Sequence, residues 1–495
     1  MKYIIGIDVG TSGTKGVLFN TDGKEIASHL EEYQMLQPQN GWAQENPEDW
    51  WQACKTVLCE LSSKAEGGEI AGIGLSGQMH SLVMLDENNN VIRPAILWCD
   101  QRTNEECREI ESIIGKEKLA AITGNKAIPA LTASKILWVR KHEPENYRKC
   151  RHILLAKDYI RFKLTGEYAT EVSDASGMQL LDINTRNWSD EVCKALDINM
   201  SMLAKVYESP DVTGYVTKHA SELCGIKEGV PVAGGGGDNA CAAVGSGVYS
   251  VGKAFTTLGT SGVIFAPTSK PTVDAEGRFN AFCAAVPGTW HVLAITQAAG
   301  LSLNWFRNNI AKEYSYKEID AECEKLAIGS EKLIYLPYLM GERTPILDSA
   351  ARGVFFGLSA MHTKMHMARS VIEGVTFALY NCLDVLRDYG IEMNSMILCG
   401  GGGKSKFWQK VISNVYNMDI STLENDESAA LGAAILGGVA GGVYGSVTEG
   451  CEKCVKEKNK TLPDITAHNE YMKYYKVYKN LYPALKDSFN LLSGI

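Results

Sequence analysis

The tetrapeptide Gly-Thr-Ser-Gly occurs once in each half of the chain, at 10–13 and again at 259–262. In both places an apolar run precedes the tetrapeptide and another follows it, which is typical of two strands joined by a tight turn. Glycines in such a turn can adopt positive φ and let backbone N–H groups approach a ligand closely. We call these segments the first and second GTSG turns. Their repetition predicts two similar units in one chain.

The elements around the two turns follow the same plan. In the first half we predict strands at 3–8, 15–20, 25–33 and 70–75, a helix over 47–63, and a hairpin formed by 82–85 and 91–97. In the second half we predict strands at 254–258, 263–266 and 395–399, with helices over 298–309, after Lys404 and after Asp426. The pattern predicts two α/β domains, 1–248 and 249–495, with a ligand cleft between them.

Composition excludes several classes of partner. The 495 residues carry a net charge of −9 without any block of like charges, which argues against nucleic acid or an anionic membrane as a partner.

The N-terminus lacks the pattern of a signal peptide, and the fourteen cysteines are scattered, so we expect reduced thiols in a cytoplasmic protein. The one CxxC, Cys451 and Cys454, is expected to be a pair of surface thiols. The uncharged, glycine-rich stretch 429–447 is expected to be a packed helix and turn rather than a membrane span.

Asp8 distinguishes the first turn from the second, which has Thr257 at the same position. A carboxylate beside phosphate oxygens would be repelled unless Mg²⁺ lies between them, so the pattern predicts a magnesium and polyphosphate site. The alternative is an aspartate that only caps the turn. Lys15 is expected to neutralise phosphate charge, and the hydroxyl groups expected to donate to phosphate are those of Thr11, Ser12, Thr14, Thr260 and Ser261.

Two glycine runs follow predicted strands. Gly234–Gly237 leads into Asp238 and Asn239 at the start of a small-residue helix, where a carboxylate can accept a proton from a substrate hydroxyl. The alternative is that Asp238 is a simple helix cap. The second run, 400–403, precedes Lys404 and Ser405 but lacks the first glycine of a Walker A loop. It is expected to bind the adenosine end of a nucleotide.

These loops together resemble the ATPase core shared by actin, heat-shock ATPases and sugar kinases. The chain resembles the FGGY carbohydrate kinases from end to end. It carries their first signature in KILWVRKH at 135–142, although Ala130 replaces the usual residue, and their second in GVFFGL at 353–358 and HMARSVIE at 366–373. The resemblance implies two duplicated ribonuclease H-like/actin-like ATPase domains with an interdomain cleft.

The resemblance also implies roles for matching positions. Asp238 is expected to be the catalytic base, and both Asp8 and Asp238 are expected to lie against Mg²⁺. The sugar is expected to contact Met79 and His80 of the GQMH motif, together with Trp98, Asp100, Asp238 and Asn239. The nucleotide is expected to contact Thr11, Ser12, Thr14, Lys15, Gly259, Thr260, Gly401, Gly402 and Ser405.

The expected reaction is the ATP-dependent phosphorylation of a ketopentose, with D-xylulose giving D-xylulose 5-phosphate as the first choice. The GQMH motif at 77–80 favours a ketopentose over glycerol. Two alternatives stay open: a kinase for another ketose or a polyol, such as ribulose, L-xylulose or a glycerol-like alcohol, and a regulator that binds sugar and nucleotide without turnover. The expected partners are the sugar, ATP and Mg²⁺, and a homodimer is left open.

Overall fold

Each half of the chain forms a seven-stranded mixed β-sheet with helices packed around it, in a computed structural model that describes residues 1–65 and 67–495. The strands of the first half are β1 (Lys2–Val9), β2 (Gly13–Asn20), β3 (Glu25–Glu32), β4 (Gln44–Glu45), β5 (Glu69–Gly77), β6 (Val83–Leu85), β7 (Ala95–Ile96), β8 (His152–Leu154), β9 (Ala169–Glu171), β10 (Leu181–Asp182), β11 (Asn187–Trp188), β12 (Lys205–Tyr207), β13 (Val212–Tyr215), β14 (Pro231–Ala233) and β15 (Gly236–Gly237). Its helices are α1 (Pro47–Lys64), α2 (Asn104–Ile114), α3 (Lys116–Thr123), α4 (Thr132–His142), α5 (Pro144–Lys149), α6 (Ala156–Thr165), α7 (Val172–Ala175), α8 (Asp190–Ala195), α9 (Lys218–Cys224) and α10 (Asp238–Gly245).

The second half is also built around a seven-stranded sheet and has fewer short strands outside that sheet. Its strands are β16 (Gly252–Leu258), β17 (Gly262–Thr268), β18 (Asn280–Cys283), β19 (Trp290–Thr296), β20 (Ile334–Leu336), β21 (Val354–Phe356), β22 (Met393–Cys399), β23 (Ile420–Leu423) and β24 (Glu457–Thr461). Its helices are α11 (Gly300–Asn309), α12 (Tyr316–Glu324), α13 (Lys364–Asp388), α14 (Lys406–Tyr416), α15 (Ser428–Ala440), α16 (Val447–Cys454) and α17 (Ile465–Ser493).

The two sheets have matching strand orders. The first runs β13-β14-β5-β1-β2-β3, with β15 also paired to β5, and the second runs β24-β23-β22-β16-β17-β19-β18. In each sheet an antiparallel meander that contains the GTSG turn lies beside two parallel strands and an antiparallel edge strand. The duplication predicted from the repeated tetrapeptide is therefore confirmed at the level of topology.

Strand register places Asp8 and Thr257 at equivalent points. Asp8 pairs with Ser76 of the parallel strand β5, and Thr257 pairs with Cys399 of the parallel strand β22. Both positions lie at the carboxyl ends of parallel strands, which is where ligands bind in open α/β sheets. The same scaffold therefore presents a carboxylate in one half and a hydroxyl in the other.

Helix α15 of the second half packs against the first sheet. A Cβ added at Gly6 would lie 1.9 Å from the Ala430 carbonyl oxygen, and one at Gly74 would lie 1.7 Å from that of Ala433. Glycine is required because the helix and strand backbones are in contact there. Among the described residues, no helix is both long enough and apolar enough to cross a bilayer. The expectation of a packed helix over the first part of 429–447 is thus confirmed.

One local prediction is confirmed in part and another is wrong. Segments 82–85 and 91–97 run antiparallel as predicted, with bridges Leu85–Val91 and Leu82–Ile96 and a 3.0 Å hydrogen bond from the Ile92 N–H to the Met84 carbonyl oxygen. The ladder pairs of β6 and β7, however, are with β8 and β4. Cys451 and Cys454 are buried beneath α15 rather than exposed, since the Cys451 thiol contacts the Val244 carbonyl oxygen at 3.3 Å. Val244 belongs to the first half of the chain, 207 positions before Cys451.

Candidate active site

The first GTSG turn is closed by backbone groups, which leaves Asp8 free of a capping role. The Gly10 N–H donates to the Gly13 carbonyl oxygen at 3.0 Å. Asp8 Oδ1 instead accepts from the Ser76 hydroxyl at 2.7 Å. Burial raises the pKa of Asp8, and the nearby Glu427 carboxylate raises it further, while Ser76 and Lys15 oppose that shift. A desolvated carboxylate of this kind favours a cation beside it.

Crowding rather than backbone angle explains the second glycine of each turn. None of the four glycines has a positive φ, so the expectation of positive φ is wrong. A Cβ added at Gly13 would lie 2.7 Å from the Glu31 carbonyl oxygen, and one at Gly262 would lie 2.8 Å from the Leu379 side chain. A Cβ added at Gly259, in contrast, would meet its nearest atom at 3.6 Å.

The predicted phosphate ligands of the first turn differ in accessibility. Thr11 and Ser12 lie at the tip, where Ser12 is exposed. Thr14 is fully buried, and its hydroxyl lies 3.4 Å from that of Tyr33. Lys15 Nζ forms an ion pair with Glu427 of the second half at 2.5 Å. Lys15 would have to exchange this partner before it could bind a phosphate.

Asp238 begins α10 directly after the four glycines. Its Oδ1 accepts from the N–H of Asn239 at 2.7 Å and from the Asn239 side-chain amide at 2.9 Å. Burial raises the pKa of Asp238 to about 7, and repulsion from Asp8 contributes to this shift. The fold therefore brings the two predicted carboxylates into one electrostatic site. An aspartate with the reference pKa of about 3.9 would be fully ionised at neutral pH, whereas Asp238 with its raised pKa is only partly ionised there.

The four-glycine loop leaves no room for side chains. Gly235 has φ +69°, and an added Cβ would lie 2.0 Å from the Leu75 carbonyl oxygen of β5. A Cβ added at Gly237 would lie 2.7 Å from Cγ of Met79. The glycines therefore let the loop before Asp238 pack directly on Leu75 of β5 and on Met79 of the GQMH segment.

His80 lies at the junction of the two halves with an uncommon backbone angle. Its φ is +69°, and its ring centroid lies 5.9 Å from that of Phe282 in β18. Burial lowers the pKa of His80 to about 3, and the charge of Lys135 lowers it further. The imidazole is therefore neutral near pH 7, with one nitrogen able to donate and the other able to accept. Met79 beside it is buried among apolar residues of both halves.

Two residues that support His80 were missed from the sequence. Lys135 is fully buried, and its Nζ donates to the carbonyl oxygens of His80 at 2.8 Å and Ala130 at 2.5 Å. Because Lys135 uses the backbone of Ala130, the unusual residue at that position leaves this contact intact. A Cβ added at Gly177 would lie 2.3 Å from Nδ1 of His80. Nothing in the sequence around Gly177 indicated that this glycine packs against His80.

Trp98 and Asp100 have different surroundings. Trp98 is half exposed, and its indole N–H donates to the Thr11 hydroxyl at 3.1 Å. Asp100 is fully buried, where it accepts from the Ala43 N–H at 2.6 Å and from the Arg102 guanidinium at 2.7 and 2.9 Å. Both oxygens of Asp100 are thus engaged within the protein, whereas Trp98 reaches the first turn.

The second glycine run borders a cavity of about 580 Å³. Gly401 lines this cavity, and an added Cβ there would meet no atom within 4 Å. Gly402 packs on Leu258, and the Ser405 hydroxyl caps α14 by accepting from the Trp408 N–H at 2.9 Å. Gly401 therefore faces the open space, while Gly402 and Ser405 support its rim.

The second GTSG turn is anchored to α11 through its backbone. Gly259 and Thr260 are exposed, and their carbonyl oxygens accept from the N–H groups of Gly300 at 2.8 Å and Ala299 at 3.0 Å. An added Cβ at Gly300 would lie 2.5 Å from the Gly259 carbonyl oxygen. The exposed hydroxyl of Thr260 remains available to a ligand.

Two actin-like ATPase domains, with carboxylates and glycine turns gathered where they meet, define a class of ATP-using phosphotransferase. Residues 3–245 match the N-terminal domain, and residues 254–441 the C-terminal domain, of the FGGY family of carbohydrate kinases. The chain belongs to this family, as its motifs indicated, and it is a sugar kinase.

Known proteins similar to the chain include several kinases of small sugars. A xylulose kinase from Bacillus subtilis (strain 168) is 37% identical over 489 residues, covering 98% of each chain. A solved structure described as a xyloylose kinase from Brucella ovis has a TM-score of 0.92 and 35% identity, covering 98% of this chain and 99% of that one. A gluconate kinase structure from Lactobacillus acidophilus has a TM-score of 0.94 and 29% identity, covering 99% of each chain.

Proposed function

We propose that the protein transfers the γ-phosphate of ATP to the terminal hydroxyl of D-xylulose and releases D-xylulose 5-phosphate. The observation that carries this proposal is the convergence of Asp8, Asp238 and the Met79–His80 pair at the junction of the two halves. The sugar itself is inferred from the GQMH motif and from the similar xylulose kinases.

Asp238 is the proposed general base. A base works best when its pKa lies near the working pH, and burial together with Asp8 raises the pKa of Asp238 to about 7. Its Oδ1 is held by the two N–H donors of Asn239, which fixes the carboxylate beside Met79. Asn239 is also proposed to contact the sugar, while Trp98 and Asp100 border the pocket.

The carboxylates fit a magnesium ion that takes most of its ligands from elsewhere. The described residues contain no group of three or more His, Cys, Asp or Glu side chains able to hold a metal alone. Mg²⁺ usually binds through one or two carboxylates, several waters and the phosphates of the nucleotide. Asp8 and Asp238 would hold it, and when bound it supplies positive charge against the β- and γ-phosphates.

The nucleotide is proposed to lie between the two GTSG turns. Its adenosine end would enter the cavity that Gly401 lines, with Gly402 and Ser405 supporting the rim, and its phosphates would reach Gly259 and Thr260 on one side. On the other side the proposed phosphate ligands are Thr11, Ser12, Thr14 and Lys15. We place the domain boundary between 248 and 249 and the protein in the cytoplasm.

The test is a turnover assay with ATP over a panel of D-xylulose, D-ribulose, L-ribulose, L-xylulose, glycerol and D-gluconate. D-Gluconate is included because a similar solved structure is described as a gluconate kinase. We expect D-xylulose to give the highest kcat/KM, and Asp238→Ala to lower kcat by about a thousandfold with little effect on ATP binding. Turnover of none of these sugars would favour the non-catalytic alternative. Near-native turnover by Asp238→Ala would remove the proposed base.

A further inference from the structure

Five charged side chains form a fully buried network behind the four-glycine loop. Its members are Lys157, Asp158, Arg161, Glu171 and Asp174. Lys157 Nζ lies 2.9 Å from Asp158, 3.1 Å from Asp174 and 3.3 Å from Glu171, and Arg161 lies 2.7 Å from Asp158. A buried ion network seldom stabilises a fold more than apolar residues of the same size would. Its contacts therefore indicate what else it does.

The network holds both ends of the loop that carries Asp238. At the first glycine, the Arg161 guanidinium donates to the carbonyl oxygen of Gly234. At the last glycine, the Gly237 N–H donates to the Ser173 hydroxyl oxygen at 3.1 Å. Gly237 is the residue directly before Asp238.

Ser173 is itself held in place by the network. Its hydroxyl donates to Glu171 Oε1 at 2.9 Å, and Lys157 Nζ lies 3.3 Å from the same oxygen. Glu171 also accepts from the backbone N–H groups of Ser173 and Asp174, which fixes its carboxylate at the start of α7. A continuous chain of polar contacts therefore runs from Lys157 through Glu171 and Ser173 to the Gly237 N–H.

We propose that Ser173 is a positioning residue for Asp238, oriented by Glu171 and Lys157. The inference rests on the proposed function, in which Asp238 accepts the proton of the sugar hydroxyl. Glycine restricts its own backbone less than other residues do, so contacts with neighbours such as the fixed N–H of Gly237 determine where the carboxylate of the next residue lies. Displacement of a catalytic group by about 1 Å can cost about a hundredfold in rate.

Ser209 provides a matched control. It is also fully buried, and its hydroxyl donates to the other oxygen of Glu171, Oε2, at 2.7 Å. Its hydroxyl makes no hydrogen bond to Gly237, and its carbonyl oxygen, which accepts from the Gly235 N–H of the same loop at 2.9 Å, is kept when the side chain is changed. Replacing either serine with alanine removes one buried hydroxyl bonded to Glu171, but only Ser173→Ala releases the residue before the base.

The experiment compares steady-state kinetics of wild type, Ser173→Ala and Ser209→Ala with D-xylulose and ATP. We expect Ser173→Ala to lower kcat by about tenfold to a hundredfold while KM for ATP changes less than about twofold. Ser209→Ala should keep kcat within about twofold. Equal kcat losses in the two variants, or wild-type kcat in Ser173→Ala, would overturn the proposal.

Two further variants keep the test decisive. If Ser173→Ala does not fold, Ser173→Cys fills the site with a slightly larger thiol, whose sulfur is a weak acceptor, and should show the same kcat loss. Wild-type kcat in Ser173→Cys would also overturn the proposal. Asp238→Ala separates the two proposals. If it is inactive while Ser173→Ala is fully active, only the positioning role fails; if it is active, the proposed base fails as well.

Discussion

The two GTSG turns have the same strands and register but differ in what lies beside them. In the first, Asp8 accepts a 2.7 Å hydrogen bond from Ser76 on the adjacent parallel strand. In the second, the equivalent pair is Thr257 and Cys399, and the Thr257 hydroxyl accepts from the Val263 N–H within its own hairpin at 3.2 Å. The two turns therefore share a backbone plan, and under the proposed function both bind the nucleotide while only the first carries a carboxylate.

The two glycine runs follow parallel strands at different places in the two sheets: 234–237 follows β14, whereas 400–403 follows β22, the counterpart of β5. In the first half, a glycine run ends in Asp238 and is held by a buried charge network. In the second half, the glycine run at 400–403 borders a cavity, and its nearby ion pair, Lys404 with Asp426, is exposed. Under the proposed function, this difference means that the first half carries the catalytic base and the second half holds the adenosine end of the nucleotide.

The largest expected difference between the halves concerns Asp8 and Thr257. Asp8→Asn keeps the shape and the acceptor for Ser76 but removes the charge, so we expect kcat to fall about a hundredfold or more and the Mg²⁺ requirement to rise. Thr257→Val removes one hairpin hydrogen bond and should change kcat by no more than about threefold. Magnesium titrations of both variants check this. An unchanged titration for Asp8→Asn would mean that the two turns are functionally equivalent.

A pH profile tests the base that only the first half carries. Asp238 accepts a proton only when ionised, and burial and Asp8 raise its pKa to about 7, with Asn239 opposing that shift. As pH falls below about 7, kcat/KM for D-xylulose should therefore drop by about tenfold per pH unit. In Asp8→Asn the midpoint should move to lower pH, because a like charge is gone. A flat profile down to about pH 5.5 would contradict this assignment.

Much of this comparison was accessible from the sequence because its signals are local. The repeated turn, the glycine runs and the alternation of apolar residues each lie within about ten residues, so they predict the strands, the duplication and the positions of Asp8 and Asp238. Motifs of this kind specify which atoms a short segment presents. They do not specify what packs against it.

The parts that could not be predicted depend on partners far away in sequence. The chain from Lys157 to Gly237 joins residues 80 positions apart, and no pattern in either segment indicates the other. The raised pKa of Asp238 arises from burial and from Asp8, 230 positions earlier. Cys451 and Cys454 were expected at the surface, but the Cys451 thiol contacts the carbonyl oxygen of Val244, which lies 207 positions earlier in the chain.

A smaller difference in activity is expected between variants of two buried histidines, His80 and His291, whose rings both lie near Phe282. The His80 ring centroid lies 5.9 Å from that of Phe282, and the His291 ring centroid lies 5.5 Å away on the second sheet. We expect His80→Ala to lower kcat/KM for D-xylulose about tenfold, because the variant lacks the imidazole that is proposed to hydrogen-bond a sugar hydroxyl. Without that hydrogen bond, the pocket should also discriminate less between sugars. His291→Ala should lower thermal stability and leave the preference for D-xylulose over D-ribulose unchanged. Equal effects on preference would mean that the sugar does not contact His80.

The smallest expected effect concerns the ion pair that joins the halves beside the first turn. Lys15 Nζ lies 2.5 Å from Glu427, and each side chain is about one third exposed. An ion pair of that exposure contributes about 0.2–1 kcal/mol, which corresponds to no more than about fivefold in an equilibrium.

If Lys15 exchanges Glu427 for a phosphate, Glu427→Gln should lower KM for ATP by up to about fivefold, and Lys15→Met should raise it by a similar factor. Glu313→Gln, which breaks the exposed pair with Lys364 (2.7 Å) away from both turns, should leave KM for ATP within about twofold. An equal rise in KM for ATP in Glu427→Gln and Lys15→Met would contradict this exchange. It would show that the intact ion pair supports ATP binding and that Lys15 does not leave Glu427 to bind a phosphate.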